Sequence, residues 1–279
     1  MRVRIEEQPL SHWMENFYGY GSWESKVWFV GYEESGGDLP EEVAEKLNHF
    51  YKTRNVRFTE TLCDIRALYK DITFRVEGPR AEKYATFFDH RFGAKAVLHG
   101  LWKNLIAFSH GYRNQPLPDL LSYQRTTFVS PTESREMLIP FYPLPAHNHA
   151  WYYSWLDMPR FPFLKSRSLY DKHFYPTRIK YIFRNIKTYR PDVVVMYGMN
   201  NINELKKSAQ EQFDATFRIV KATPRVIPQH HIADLGSTTL IITTQVPALR
   251  HNRIETGFDW HALGRDARSM GEAPVASSK

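Results

Sequence analysis

"KVWFVGYEESGG", residues 26–37, decides how the rest of the chain is read. Its first half, "KVWFVG" (26–31), is a short β-branched and aromatic run that ends on a glycine. Such a run predicts a strand buried on both faces, as in the interior of a parallel sheet. The second half breaks off into adjacent carboxylates, Glu33 and Glu34, followed by Ser35, Gly36 and Gly37. Carboxylates at a strand mouth bind a cation, activate water, or begin a solvated loop. Gly31 and the Gly36-Gly37 pair permit positive φ and close approach of backbone to a ligand. The stretch is no P-loop, since no Gly-Lys-Ser/Thr follows, and no dinucleotide fingerprint, since Gly-x-Gly-x-x-Gly is missing.

Working outward, "EMLIPFY" (136–142), "PDVVVMYG" (191–198) and "TTLIITT" (238–244) share the buried-strand pattern, and "ATFRIVKA" (215–222) is a weaker fifth strand. Helical periodicity appears over 39–52, 81–92, 94–112, 176–190 and 199–213. Strands alternating with helices predict an α/β fold, a three-layer α/β/α sandwich around a central, mostly parallel sheet. Residues 58–111 read as a helical insertion after the first strand. We expect one domain over residues 1–268 and a disordered tail from Ser269, where small residues take over. In open sheets of this kind the ligand lies beyond the carboxyl ends of the strands. Three such ends, "GYEESGG", "PLPAHN" and "TTQVPALRHN", are expected to meet at one cleft.

Charge points to the partner. Lys and Arg total 37 against 30 Asp and Glu, a net +7 over 279 residues, which favours an anionic ligand such as nucleic acid. From Arg160 to Arg190 nine basic residues face one acid, Asp171, with Phe161, Phe163, Tyr170, Phe174 and Tyr175 interleaved. Cations contact phosphates and aromatics stack on exposed bases, so Arg178, Lys180 and Arg184 are candidate DNA contacts. The single cysteine, Cys63, excludes an internal disulfide, a cysteine-rich zinc knuckle and a four-cysteine iron–sulfur cluster. His147 and His149 have no third metal ligand close in sequence, so no metal is expected. Without a signal-type apolar core or an apolar run of the ~20 residues a bilayer requires, the chain reads as soluble and cytoplasmic.

"GYEES" (31–35) resembles the first motif of the uracil-DNA glycosylase superfamily, Gly-x-(carboxylate, amide or small residue)-Pro, with Glu34 standing where proline is usual. "FYPLPAHN" (141–148) resembles the second-strand segment of glycosylase-like members. "TTQVPALRHN" (243–252) resembles the His-Pro-Ser loop that enters the minor groove; Pro247 matches, while Val246 and Ala248 replace the histidine and serine. The resemblance implies Glu33 as the water-activating carboxylate with Glu34 in reserve. It implies a base pocket of Gly31, Tyr32, Phe141, Tyr142, Asn148 and Gln245. It implies a groove probe of Pro247, Leu249, Arg250 and His251, with Leu249 as the apolar wedge. The uracil-reading asparagine of the second strand and the histidine of the last loop are both replaced, so the expected substrate is a modified base.

The expectation is therefore a monofunctional DNA glycosylase that flips out a modified base and leaves an abasic site. It would work as a monomer without metal or cofactor, and a role in phage defence would follow. Three other readings stay open: a non-catalytic DNA-binding protein of the same fold, uracil excision in repair, and an unrelated α/β hydrolase or nucleotide-binding enzyme.

Overall fold

The four strongest apolar runs become the four parallel strands at the middle of one sheet. The computed structural model describes residues 5–34, 40–54, 61–72, 87–146, 151–221, 229–247 and 259–272. The chain opens with α1 (Glu7–Asn16), the short strand β1 (Gly19–Tyr20) and β2 (Val27–Glu33). Between β2 and β4 come α2 (Pro40–Arg54), β3 (Leu62–Cys63), α3 (Ile65–Asp71), α4 (Phe87–Arg91), α5 (Trp102–Tyr112) and α6 (Leu120–Thr126). After β4 (Glu136–Tyr142), two 3-10 turns, Tyr152–Trp155 and Pro162–Lys165, lead into the long helix α7 (Arg167–Tyr189). Then follow β5 (Val193–Tyr197), α8 (Ile202–Phe213), β6 (Arg218–Lys221), β7 (Gln229–Asp234), β8 (Thr239–Thr243) and α9 (Trp260–Glu272).

The sheet is eight-stranded and mixed, in the order β3-β1-β4-β2-β5-β8-β7-β6. Its core, β4-β2-β5-β8, is parallel throughout, with Gly31 of β2 beside Pro140 of β4 and Tyr197 of β5. Successive side chains of β2 go to opposite faces. Trp28 meets Tyr189 of α7, whereas Phe29 meets Phe108 of α5. Helices therefore cover both faces, and residues 27–30 are fully enclosed. The fold is α/β with a mostly parallel central sheet, as the strand runs imply.

Several details differ from the sequence reading. The stretch 58–111 is not wholly helical: β3 pairs in parallel with β1 and extends the sheet edge. Only Trp102–Tyr112 of the run 94–112 is helical. The amide of Gln124 ties down what precedes it, accepting from the His99 N–H and donating to the Arg91 and Val97 carbonyls. Helix α7 starts at Arg167, capped by the Ser166 hydroxyl, and carries Pro176 in its interior. Proline there removes one donor and looks like a boundary, although packing carries the helix through it. His230 and His231, which read as a loop or strand end, lie within strand β7, paired antiparallel with β8; the two histidines dilute its apolar pattern. Helix α9 runs to Glu272, past Ser269, so the expected tail begins too early. Among the described residues no helix is long and apolar enough to cross a membrane.

Candidate functional site

Ligands in such sheets collect where neighbouring strands send their chains in opposite directions. Here that point lies between β2, whose chain leaves toward β4, and β5, whose chain leaves toward β8. Glu33 pairs in register with Tyr142 of β4, so the carboxylates and the end of β4 sit together. Gly198, just past β5, adopts φ +69 and a Cβ there would meet Val246 at 3.3 Å. A side chain at this turn would be strained and crowded, so glycine is favoured where β5 ends.

Each carboxylate is met by its own cation. Glu33, 18% exposed, forms an ion pair with Arg167 at the first turn of α7. The Arg167 Nε also donates to Asp171 at 2.8 Å, and the Tyr32 hydroxyl donates to the other Asp171 oxygen at 2.6 Å. Burial opposes the charge on Arg167, but Glu33 and Asp171 outweigh it and raise its pKa above the ordinary arginine value. Glu34 turns to α2 instead. It accepts from the Lys46 ammonium at 3.0 Å, from the Tyr20 hydroxyl at 3.1 Å and from the Tyr69 hydroxyl at 3.3 Å.

Lys46 is only 1% exposed and also pairs with Glu42 one helical turn earlier, at 3.0 Å. Burial pulls its pKa down, yet Glu34, Tyr69 and Glu42 prevail and hold it well above the ordinary lysine value. Its charged form is thus favoured, which opposes action as a Schiff-base nucleophile. The phenols around it are pushed up by burial, so Tyr20 and Tyr69 act as neutral donors.

The named pocket residues divide. Tyr32 and Tyr142 form an edge-to-face pair at 5.0 Å beside Arg167, and Gln245 is half-buried after β8, its main-chain carbonyl accepting from the Gly198 N–H at 3.0 Å. Phe141 is a correction: it is a core residue against Tyr175 and presents no stacking face. Tyr142 is likewise buried, a wall of the Arg167 cluster more than an open platform. Gly31 is also corrected, because it lies in strand backbone without a positive φ; a Cβ there would meet the Tyr197 hydroxyl at 2.7 Å. Its smallness serves packing. Pro247 is buried, while Gly36, Gly37, Asn148, Leu249, Arg250 and His251 lie outside the described residues.

The basic stretch is corrected most. Arg178 is 1% exposed and donates to the carbonyls of Phe17 at 2.8 Å, Phe141 at 2.8 Å and Pro140 at 2.6 Å. It staples the segment before β1 to β4 and meets no phosphate. Lys180 and Arg184 are exposed, but α7 carries them away from the crevice. At ~1.5 Å per residue they stand roughly 20 and 25 Å from Arg167 along the axis. The helix ends at the opposite pole, where the Asp192 N–H donates to the Lys26 carbonyl at 2.9 Å.

Sequence reasoning missed Lys46, and it counted Arg167 and Asp171 only as surface charge. The available signal was the spacing: Glu42/Lys46 and Arg167/Asp171 are both i,i+4 pairs on helices. It also passed over Trp155, 87% exposed on the 3-10 turn that follows β4. That turn is anchored near the crevice by the Tyr153 hydroxyl, which donates to the Pro145 carbonyl at 2.8 Å. Among the described residues no group of three or more His, Cys, Asp or Glu is placed to hold a metal. Compared with known protein families, curated proteins and solved structures, the chain matches none.

Proposed function

We propose that the protein is a monofunctional DNA glycosylase that hydrolyses the N-glycosidic bond of a flipped-out, modified base. The observation that carries this reading is the placement of Glu33 and Glu34 at the sheet's switch point, each braced by a separate cation. Glu34 is filled with donors from Lys46, Tyr20 and Tyr69 and serves as a fixed negative charge beside the sugar. Glu33 is the carboxylate that meets water. As the C1′–N bond breaks, its electron pair leaves with the base and C1′ gains positive character. Water adds to C1′, its proton passes to Glu33 and then to the departing base, and an abasic site remains. With the charged form of Lys46 favoured, this amine is held back from attacking C1′, which supports a hydrolase without strand cleavage. Phage genomes, some of which carry modified pyrimidines, are the source of substrate that this reading favours, and host defence is the corresponding role.

The test is a panel of DNAs with ordinary and modified bases, read by mass spectrometry for released base. Release by the wild type and its loss, by 100-fold or so, in Glu33→Gln is the expected result for a general base. The Glu33–Arg167 ion pair favours a second reading, a DNA-binding protein of this fold without turnover, since it occupies the would-be base. DNA binding that weakens steeply with salt, together with no release from any DNA, would select that reading.

A further inference from the structure

Arg167 is ringed by aromatic side chains beyond the ends of β2 and β4. Its guanidinium carbon lies 5.1 Å from the ring centre of Tyr32, 5.2 Å from Trp151, 5.7 Å from Tyr142 and 6.0 Å from Tyr170. Glu33 takes Nη1 and Asp171 takes Nε. The remaining nitrogen, Nη2, is buried and finds no acceptor among the described residues. An unmet buried donor on a charged group is costly, and such groups persist where another molecule supplies the acceptor.

The surroundings narrow the acceptor. One positive charge already faces two carboxylates, so a phosphate or carboxylate ligand would meet net repulsion. A neutral oxygen meets none. The walls are flat rings, which receive another flat ring by stacking or edge contact. Reaching Nη2 requires the covering side chains to part, as they would around an inserted ring.

We propose that Arg167 Nη2 is the specificity donor of the site and binds a carbonyl oxygen on a neutral, planar heterocycle, a pyrimidine-type base. This rests on the reading of the crevice as a base-accepting site and adds the residue that selects the base. Both lone-pair directions of such a carbonyl lie in the ring plane, so a planar guanidinium edge can meet it while the aromatic walls hold the ring.

The experiment measures binding, so that it does not depend on turnover. The probes are short single-stranded oligonucleotides carrying either one deoxypseudouridine, whose C-glycosidic bond cannot be hydrolysed, or one phenyl C-nucleoside, equally flat but without a carbonyl. Wild type, Arg167→Met and Arg167→Lys are titrated with both, with Arg184→Ala as the control far along α7. The wild type and the control should prefer deoxypseudouridine by about tenfold or more, the worth of a hydrogen bond to a charged donor. Arg167→Met should bring the ratio close to one. Should Arg167→Met fail to fold, Arg167→Lys decides, since it keeps the charge and loses the planar fork; it should cut the ratio several-fold. A wild type with no preference, or an Arg167→Lys ratio equal to the wild type's, overturns the proposal. The parent reading fails separately: preference for the carbonyl with no base released from any cleavable DNA would leave a base-binding site without glycosylase activity.

Discussion

Replacing Arg178 by Met separates a structural cation from a DNA contact. The guanidinium is enclosed, lies 3.8 Å from the Tyr18 ring centre, and makes three hydrogen bonds to main-chain carbonyls. Met fills much of the volume but donates nothing, so three buried oxygens lose a charged donor. At about 1–3 kcal/mol for each unmet buried acceptor the cost spans roughly 3–9 kcal/mol. Removing the charge also removes its desolvation cost, and burial does lower the pKa of Arg178. The lower part of the range, about 3–5 kcal/mol, is therefore expected. The assay is urea unfolding followed by tryptophan fluorescence. With a slope of about 3 kcal/mol per molar, the midpoint should fall by at least about 1 M. DNA affinity of the folded fraction should be unchanged. A midpoint shift worth under about 1 kcal/mol, together with weakened and less salt-sensitive DNA binding, would refute the buried-staple argument and return Arg178 to the surface.

Lys46→Met leaves Glu34 and Glu42 without their shared cation, and should cost about 3–5 kcal/mol in the same unfolding assay; near-neutral stability would mean the three groups are not jointly buried. Acid should weaken the fold through its enclosed histidines: burial lowers His99 to about 3, and His110 and His230 to about 4. Above pH 6.5 these rings are neutral folded or unfolded. Below it the unfolded chain takes up protons that the folded one refuses, so stability falls from pH 6.5 toward 4 for His110 and His230, and toward 3 for His99. Each histidine contributes up to about 1.4 kcal/mol per pH unit, and urea midpoints that stay flat between pH 7 and 5 would contradict this. Trp155→Ala should leave the unfolding midpoint in place and weaken single-stranded DNA binding several-fold, since a stacked base is worth about 1–3 kcal/mol; equal affinity would remove Trp155 from the DNA surface.

The parallel core was legible in the chain because "KVWFVG", "EMLIPFY", "PDVVVMYG" and "TTLIITT" must hide both faces, and only a sheet covered by helices does that. The position of Glu33 and Glu34 at the crevice followed from the same pattern, since a strand that ends in charge ends at a surface. What meets those charges was not legible. Arg178 and Arg184 lie six positions apart on one helix with similar neighbours, yet one is enclosed by main-chain carbonyls and the other stands in solvent. Lys46 reaches Glu34 from α2, and Arg167 reaches Glu33 from α7.

Periodicity is a local property, because burial of a strand or helix face depends on residues a few positions apart, and so the sequence alone determined the fold class and the place of Glu33 and Glu34 at the end of a core strand. Pairing of charges depends on where helices cross a sheet, which is settled by long-range packing and is not written in any spacing. Only the tertiary structure decided that Glu33 and Glu34 diverge to different cations, and that the basic helix points its positive surface away from the crevice.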